Sequence, residues 1–255
     1  MDAVDAMHAL PHSHEAAKDR GAHALSVRGL HVHYGDVCAL HDVSFETHCG
    51  RALALVGANG AGKSSLMKAI VRLTPSTSGA VWWRGRPIEA STHEIAYLPQ
   101  REKIDWNFPL TVRGLVEMGR YAHVGILGRF GAADRAAVDR ALSLMAIEDI
   151  AERQINALSG GQQQRAFIAR ALAQDAHVLL LDEPYAGLDQ PSQDTLTALL
   201  KELAHNGSLI IAAHHDLRSV GAIFDEVLLL NGACVAYGAP QDVMTTANIQ
   251  KAFGT

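Results

Sequence analysis

The feature that most limits the fold of this chain is a short apolar strand that runs directly into a glycine-rich turn and then a helix. The strand segment RALALV (51–56) is followed by GANGAGKSS (57–65), which fits the pattern GxxxxGK[ST]. In this pattern the glycines let the backbone curl so that successive N–H groups point at phosphate oxygens. The start of the helix adds partial positive charge. We therefore predict a phosphate-binding loop, because a chance turn rarely combines the strand, the spacing, the lysine and the serine.

The loop supplies separate groups for the phosphates and the metal ion of a nucleotide such as ATP. Lys63 can reach the β- and γ-phosphates, Ser64 can bind Mg²⁺, and Ser65 is placed for the α-phosphate. Lys63 is thereby also a candidate for the catalytic set. The residues predicted to bind the nucleotide here are Gly57, Ala58, Asn59, Gly60, Ala61, Gly62, Lys63, Ser64 and Ser65.

A second motif, VLLLDEP (178–184), is an apolar strand that ends in two acids. Such a strand places Asp182 beside the phosphate loop, where its carboxylate can bind Mg²⁺. Glu183 follows directly and can polarise the water that attacks the γ-phosphate. The motif is weak alone, since many core strands end in aspartate, but it becomes specific downstream of a phosphate loop.

A third motif, LSGGQQQR (158–165), places a serine and two glycines where a helix is predicted to begin. The helix start is a second anion-binding site in a chain whose phosphate loop already holds one nucleotide. It is therefore predicted to serve a nucleotide that a partner chain holds. The alternative is an ordinary serine N-cap with a glycine turn. The candidate residues are Ser159, Gly160, Gly161 and Gln162.

Strand and helix patterns alternate along the remainder of the chain, which predicts an α/β core. Hairpins are expected around Gly85 in GAVWWRGRPI and around Asn231-Gly232 in EVLLLNGACVAYG. The helical patterns cover Lys63–Val71, Val112–Tyr121, Arg135–Leu144 and Gly160–Ala173, and Thr111 is a candidate N-cap. The helical middle of the chain, about residues 101–173, is interpreted as an insertion into the core.

Composition narrows the function classes. The formal net charge of −5 in 255 residues gives no overall basic field, so a nucleic-acid partner is not expected. Three scattered cysteines form no CxxC pair, which suits a reducing cytosol. No apolar run approaches the roughly 18 residues that span a bilayer, and the N-terminus lacks the apolar segment of a signal peptide. The chain is therefore expected on the cytoplasmic side, with any membrane span supplied by another chain.

Residues 1–24 are predicted to be a disordered tail, since they have little apolar periodicity. They contain His8, His12, His14 and His23. The alternative to a mobile extension is a tail that buffers or senses a metal ion, because neutral imidazoles bind zinc and similar ions well.

Together these motifs resemble the ATP-binding subunit of an ATP-binding cassette (ABC) transporter. The resemblance covers nearly everything from Leu25 to Gly238, with the phosphate loop, Gln100, LSGGQ, LLLDEP, AGLD and AAHHD in order. It implies a P-loop NTPase (RecA-like) core with an N-terminal antiparallel β subdomain and an inserted α-helical subdomain, and an ATP-binding domain over 25–255. It also implies ATP and Mg²⁺ as ligands, and ATP hydrolysis coupled to transport.

The resemblance assigns further residues to the site. Tyr34 matches the aromatic residue that stacks on adenine, although it reads equally well as a core strand tyrosine. Gln100 matches the residue that touches Mg²⁺ or the attacking water, and Asp189 matches the acid of the AGLD segment. His215 matches the histidine that senses the γ-phosphate, because it precedes an acid, whereas His214 is expected to be a structural neighbour. The implied assembly is a head-to-tail dimer with each ATP between one chain's phosphate loop and the other chain's LSGGQ motif (158–162), here named the signature segment.

The stretch PQREKIDWNFPLTVRGLVEMGRY (99–121) resembles the equivalent segment of ATPases for zinc, manganese and iron import. LDEPYAGLD also resembles their wording, with Tyr185 where phenylalanine is usual. The implied partners are a second copy, a membrane permease and, indirectly, a periplasmic or extracellular metal-binding protein, with the chain peripheral on the inner membrane. ATPases for haem, siderophore or cobalamin import, and soluble non-transport ABC ATPases, are the alternatives. Asp105, Trp106, Phe108 and Pro109 are expected either to dock the permease or only to pack the insertion.

Overall fold

A six-stranded sheet forms the centre of the molecule, with the strand order β10-β9-β3-β8-β7-β6. The computed structural model describes residues 24–74, 78–88, 94–100, 109–125 and 128–254. Five strands of this sheet are parallel and β10 is antiparallel to β9. The strands are β3 (Arg51–Val56), β6 (Ile95–Leu98), β7 (Val178–Leu181), β8 (Leu209–Ala213), β9 (Glu226–Leu230) and β10 (Cys234–Gly238).

The central strands are continuous apolar runs because both faces of the sheet are covered. Every residue of β7 and β8 is buried. In β3, Leu53 and Leu55 pack into a core shared with the second sheet, whereas Ala54 and Val56 pack into a core shared with the helical region. The period of two in a strand thus assigns successive residues to two different cores.

A second, antiparallel sheet has the order β2-β1-β4-β5. Its strands are β1 (Ala24–Tyr34), β2 (Val37–His48), β4 (Ser78–Trp83) and β5 (Arg86–Pro87). The predicted hairpin around Gly85 is confirmed, and that glycine has a φ of 71°. The N-terminal tail lies outside the described residues except for Ala24, which already belongs to β1, so the predicted tail overlaps the strand by one residue.

The inserted region is helical where it is described. Its helices are α2 (Val112–Glu117), α3 (Tyr121–Val124), α4 (Ala132–Leu144) and α5 (Gly160–Ala173), with short 3₁₀ turns at Met118–Arg120, Glu148–Ile150 and Ile155–Ala157. The Thr111 N-cap is confirmed, since its hydroxyl accepts from the Gly114 N–H at 3.1 Å. Residues 101–108 lie outside the described ranges, so the boundaries of the insertion stay a prediction.

The single helix predicted over Val112–Tyr121 is wrong in one respect, because a 3₁₀ turn at Met118–Arg120 interrupts it. At this turn Gly119 touches α5 so closely that an added Cβ would lie 2.3 Å from the Arg170 carbonyl oxygen. The tight approach to a neighbouring helix is a tertiary contact, which the local sequence pattern does not contain.

The other helices are α1 (Lys63–Ile70), α6 (Gln190–His205), α7 (Val220–Ile223), α8 (Pro240–Val243) and α9 (Thr246–Phe253). The hairpin of β9 and β10 around Asn231-Gly232 is confirmed. Among the residues described, no helix combines the length and apolar character needed to cross a bilayer.

Candidate functional site

Four parallel strands deliver the predicted site residues to one edge of the central sheet. β3 leads into the phosphate loop, β8 into His214 and His215, β7 into Asp182 and Glu183, and β6 into Pro99 and Gln100. The carboxyl ends of parallel strands lie at the same edge of a sheet, so these residues converge although they are far apart in sequence. The strand order β3-β8-β7-β6 sets their order along the edge.

Lys63 lies folded against the phosphate loop that precedes it. Its Nζ donates to the carbonyl oxygens of Gly57 at 2.8 Å and Ala58 at 2.9 Å, and the residue is only 8% exposed. Burial lowers the pKa of this lysine, while the nearby Glu183 and Asp182 oppose that change. The loop therefore holds a buried ammonium group on its inner surface, beside the two acids. A bound phosphate can replace the two carbonyl oxygens as the acceptor of its hydrogen bonds.

Two glycines of the loop are required by close contacts. A Cβ on Gly57 would lie 2.2 Å from the Leu230 carbonyl oxygen. Gly62 caps α1 with a φ of 97°, and a Cβ there would lie 2.4 Å from Leu40 Cδ2. The loop is thus packed between the end of β9 and strand β2, which keeps its backbone N–H groups in place before any ligand arrives.

The acid pair after β7 lies in two different environments. Asp182 is 1% exposed, and the Tyr97 hydroxyl donates to its Oδ2 at 3.4 Å. Burial, together with Asp182, raises the pKa of Tyr97, so this hydroxyl stays protonated as a donor. Glu183 adopts a φ of 56°, a left-handed conformation that costs energy for a residue other than glycine.

Gln100 and Glu183 form a direct hydrogen bond. The amide Nε2 of Gln100 donates to Glu183 Oε1 at 2.8 Å. An ionised carboxylate only accepts, so the amide nitrogen must face it and the amide oxygen remains available for another ligand. The bond joins the ends of neighbouring strands β6 and β7 and orients the carboxylate that was predicted to act on water.

The side chains present suit Mg²⁺, which is held by oxygen ligands. Ser64, Gln100 and Asp182 supply a hydroxyl, an amide oxygen and a carboxylate on the segments that follow β3, β6 and β7. Within the described ranges, no group of three or more His, Cys, Asp or Glu side chains is placed to hold a metal ion. A magnesium ion here would therefore share its coordination with the nucleotide phosphates, as it does in phosphoryl-transfer sites.

The two consecutive histidines differ in exposure, but the prediction that they face opposite sides as strand residues is wrong, because β8 ends at Ala213 and their rings stack with centroids 6.1 Å apart. His215 is exposed at the sheet edge, whereas His214 is buried and its backbone N–H donates to the Leu55 carbonyl oxygen at 3.0 Å. His214 Nε2 lies 2.7 Å from Ser219 Oγ, and that hydroxyl lies 3.2 Å from the Asp216 carbonyl oxygen. Burial lowers the pKa of His214, so it is neutral near pH 7. This network, which the sequence did not suggest, closes the loop that carries His215.

The signature segment begins α5 with a capping box. The Ser159 side chain accepts from the Gln162 N–H at 3.4 Å, and the Gln162 side chain accepts from the Ser159 N–H at 3.0 Å. Gly160 and Gly161 form the first turn of the helix. The geometry agrees with an anion-binding helix start, and it satisfies the ordinary N-cap interpretation equally well.

Tyr34 and Asp189 are both exposed, and Tyr34 lies near enough to Tyr97 to contribute to the raised pKa of that hydroxyl. Tyr34 ends β1, where it pairs with Val37, so the interpretation as a core tyrosine is not met. Asp189 caps α6 by accepting from the Ser192 N–H at 3.0 Å, and the contact with Ser192 holds the pKa of this aspartate below its usual value. Asp105, Trp106 and Phe108 lie outside the described residues, and only Pro109 of that group is described.

Sequence reasoning missed the contacts of two glutamines on α5, Gln163 and Gln164. Both are buried, and Gln164 Nε2 donates to the Pro184 carbonyl oxygen directly after Glu183. The available signal was a run of three glutamines (162–164) at the start of a helix whose remainder is mostly apolar. A buried amide requires a partner, although the sequence does not say which.

Comparison with known proteins places these motifs in a family. Residues 40–186 match the model of the ABC transporter family (ABC_tran). The manganese transport system ATP-binding protein MntB of Bacillus subtilis is 40% identical over 88% of this chain and 89% of its own length. The zinc transport system ATP-binding protein TroB of Treponema pallidum is 42% identical over 91% of this chain and 88% of its own length.

Solved structures agree in fold. An ABC transporter described as metal-chelate type, in an inward-facing conformation, superposes with a TM-score of 0.79 at 28% identity, over 91% of this chain and 89% of the other. The ADP conformation of MJ1267, an ATP-binding cassette, gives a TM-score of 0.78 at 20% identity, over 90% of this chain and 98% of the other. The predicted P-loop NTPase fold and the resemblance are confirmed. The chain therefore belongs to the ABC transporter family, whose ATP-binding subunits hydrolyse ATP.

Proposed function

We propose that this chain hydrolyses ATP to drive the import of a transition-metal ion, manganese or zinc. The observation that carries the ATPase role is the Gln100–Glu183 hydrogen bond, which orients a carboxylate beside Lys63 and Asp182. The metal is supported by the 40% and 42% identity to subunits named for manganese and zinc transport, over about nine-tenths of the chain. The uptake experiment below distinguishes manganese and zinc from the other candidate cargoes, which are iron, haem, a siderophore and cobalamin.

In the proposed reaction the protein supplies position and charge. Lys63 releases the carbonyls of Gly57 and Ala58 and binds phosphate oxygens, together with the N–H groups of the loop. Glu183 takes a proton from the attacking water, held in orientation by Gln100. His215, exposed at the end of β8, donates to the γ-phosphate. When Mg²⁺ is bound by Ser64, Gln100 and Asp182, it neutralises phosphate charge.

The proposed assembly is a two-fold dimer in which the signature of one chain contacts the ATP of the other. Ser159 and the helix start after it would bind that nucleotide, and Asp189 would lie in the contact between the chains. Exposed Met118 and Tyr121 in the inserted region supply an apolar surface for a membrane permease. The chain would then lie peripherally on the cytoplasmic face, and a metal-binding protein would act through the permease.

The catalytic assignment is tested with two variants of the purified chain. Glu183→Gln should retain ATP binding, lose turnover by more than about a hundredfold and accumulate as an ATP-dependent dimer, because the carboxylate that accepts the proton is gone. Lys63→Ala should weaken ATP binding itself. Light scattering, equilibrium ATP binding and phosphate release measure these outcomes. Near-normal turnover of Glu183→Gln, or unchanged ATP affinity of Lys63→Ala, would contradict the assignment.

The cargo is tested in cells that lack the chain. The wild-type chain, but not Glu183→Gln, should restore accumulation of radiolabelled manganese or zinc when each is supplied at limiting concentration. Iron, haem, a ferric siderophore and cobalamin serve as parallel cargoes. If one of these, and neither manganese nor zinc, depends on the chain, the metal assignment is wrong while the ATPase assignment stands. If no cargo depends on it, the transport function is rejected.

A further inference from the structure

Two neighbouring glutamines on α5 have equal exposure and different hydrogen-bond partners. Gln163 and Gln164 are each 5% exposed, and each side chain donates to a backbone carbonyl oxygen at 3.1 Å. Gln163 bonds to Ile155, in the 3₁₀ turn just before the signature segment. Gln164 instead bonds to Pro184, which follows the acid pair of β7. Of the two, Gln164 therefore connects the signature helix to the segment that carries Glu183.

The segment that receives this bond, residues 182–186, is called here the catalytic loop. Its backbone is held at a φ of 56° at Glu183, and the Ala186 N–H donates to the Glu183 carbonyl oxygen at 3.1 Å. A residue in the left-handed region persists only where its surroundings hold it. Gln100 holds the Glu183 side chain, and Gln164 holds the backbone one residue further on. The catalytic loop is thus held at two adjacent residues, Glu183 and Pro184, by amide groups from other elements.

Ser159 and Gln164 are joined by continuous helix, because α5 covers Gly160–Ala173 and Ser159 caps its first turn. Gln164 lies little more than one turn after Ser159 at the helix start. A displacement of the helix start therefore moves the Gln164 amide by a comparable amount. Because the Pro184 carbonyl oxygen is bonded to that amide inside the protein, separating the two would leave polar groups without partners.

We propose that Gln164 is a positioning residue that couples the signature segment to the catalytic loop of the same chain. This inference rests on the dimer proposed above, in which the signature contacts the ATP of the partner. Contact of Ser159 with that ATP sets the position of α5, and Gln164 passes this position to Pro184 and so to Glu183. The ATP bound in one site thereby prepares the carboxylate of the other site, and hydrolysis is cooperative in ATP.

The test compares Gln164→Met with Gln163→Met as a matched control. Methionine has a similar length and volume and lacks the donor, so each variant removes a 3.1 Å bond to a backbone carbonyl oxygen from an equally buried position. ATP hydrolysis is measured against ATP concentration, and ATP binding is measured separately at low protein concentration. We expect Gln164→Met to lower kcat about tenfold, which corresponds to about 1.4 kcal/mol and to one lost buried hydrogen bond. Its Hill coefficient should fall to that of independent sites, with single-site ATP affinity unchanged.

Gln163→Met should keep the kcat and the Hill coefficient of the wild type. Equal losses in both variants, or an unchanged Hill coefficient in Gln164→Met, would overturn the coupling. If Gln164→Met does not fold, Gln164→Asn keeps the amide but shortens its reach, and it should lose cooperativity with the fold retained. Wild-type protein that hydrolyses ATP without cooperativity also rejects the coupling and leaves the proposed ATPase role intact. Wild-type protein without ATPase activity rejects the proposed function itself.

Discussion

Replacement of Arg120 by methionine tests how the inserted region is held together. The Arg120 Nε lies 3.1 Å from Asp134 Oδ1, and its Nη1 lies 2.5 Å from Asp175 Oδ2 and 3.0 Å from the Ala173 carbonyl oxygen. One guanidinium thus joins the 3₁₀ turn after α2 to α4 and to the end of α5. The two carboxylates are only 14% and 20% exposed, so water replaces the lost partner poorly.

Arg113 is a matched control on the same region. It also pairs with two carboxylates, at 2.7 Å from Asp139 and 3.0 Å from Glu152, but these are 60% and 77% exposed. Removing one partner of a buried ion pair costs about 3–5 kcal/mol, whereas an exposed pair contributes about 0–1 kcal/mol. Because Asp134 and Asp175 keep some exposure, we expect a loss of about 3 kcal/mol for Arg120→Met and at most about 1 kcal/mol for Arg113→Met.

Urea unfolding followed by circular dichroism measures both free energies, and thermal unfolding provides a check. A loss of about 3 kcal/mol corresponds to a decrease in Tm of roughly 6–12 °C for a domain of this size. The effect of Arg113→Met should shrink further in salt, since exposed charges are screened, while that of Arg120→Met should persist. Equal losses in the two variants, or a loss below about 1 kcal/mol for Arg120→Met, would refute the argument from burial.

Three further predictions concern the nucleotide site. Gly57→Ala should abolish ATP binding and lower the Tm, because the added Cβ would lie 2.2 Å from a backbone carbonyl oxygen. Gly60→Ala has open space around the added Cβ, so it should lose only roughly 1–2 kcal/mol of folding stability, the cost of a left-handed backbone for alanine. Equal effects of the two substitutions would contradict the steric argument. Tyr34→Phe should keep the affinity for ATP, whereas Tyr34→Ala should weaken it about tenfold because ring stacking is lost. Equilibrium binding measures both affinities, and an unchanged ATP affinity in Tyr34→Ala would show that Tyr34 is not part of the site. Ser219→Ala should lower kcat with little change in ATP affinity, because His214 Nε2 loses its partner at 2.7 Å, and Ser219→Thr should restore the rate. If the threonine variant is as slow as the alanine variant, the hydroxyl is not what matters.

Much of the site was predictable because its residues follow strands. The phosphate loop, Asp182 and the His214-His215 pair each come directly after an apolar run, and an apolar run that ends in polar residues marks the end of a core strand. Parallel strands bring such ends together without further information. The glycine turns at Gly85 and Gly232 were predictable for a similar reason, since their positive φ is a local requirement.

The interruption of the helix at Met118–Arg120 was not predictable from its own sequence. The helical period continues through that turn, and the departure comes from contact of Gly119 with α5 and of Arg120 with distant acids. The partners of Gln164 and His214 were hidden for the same reason. A polar residue in a buried position requires a hydrogen-bond partner, but the sequence does not identify which group that partner is.

The sequence by itself therefore determined the fold class and the set of residues at the strand ends, because these depend on periodicity and on local backbone requirements, and its ordered motifs identified the family by resemblance. Only the tertiary structure decided that Gln100 bonds to Glu183, that Lys63 folds onto its own loop, and that Gln164 reaches Pro184. In each of these hydrogen bonds, the packing of the chain brings the donor and the acceptor close together. Which donor meets which acceptor depends on distances of a few tenths of an ångström, and motif spacing does not set such distances.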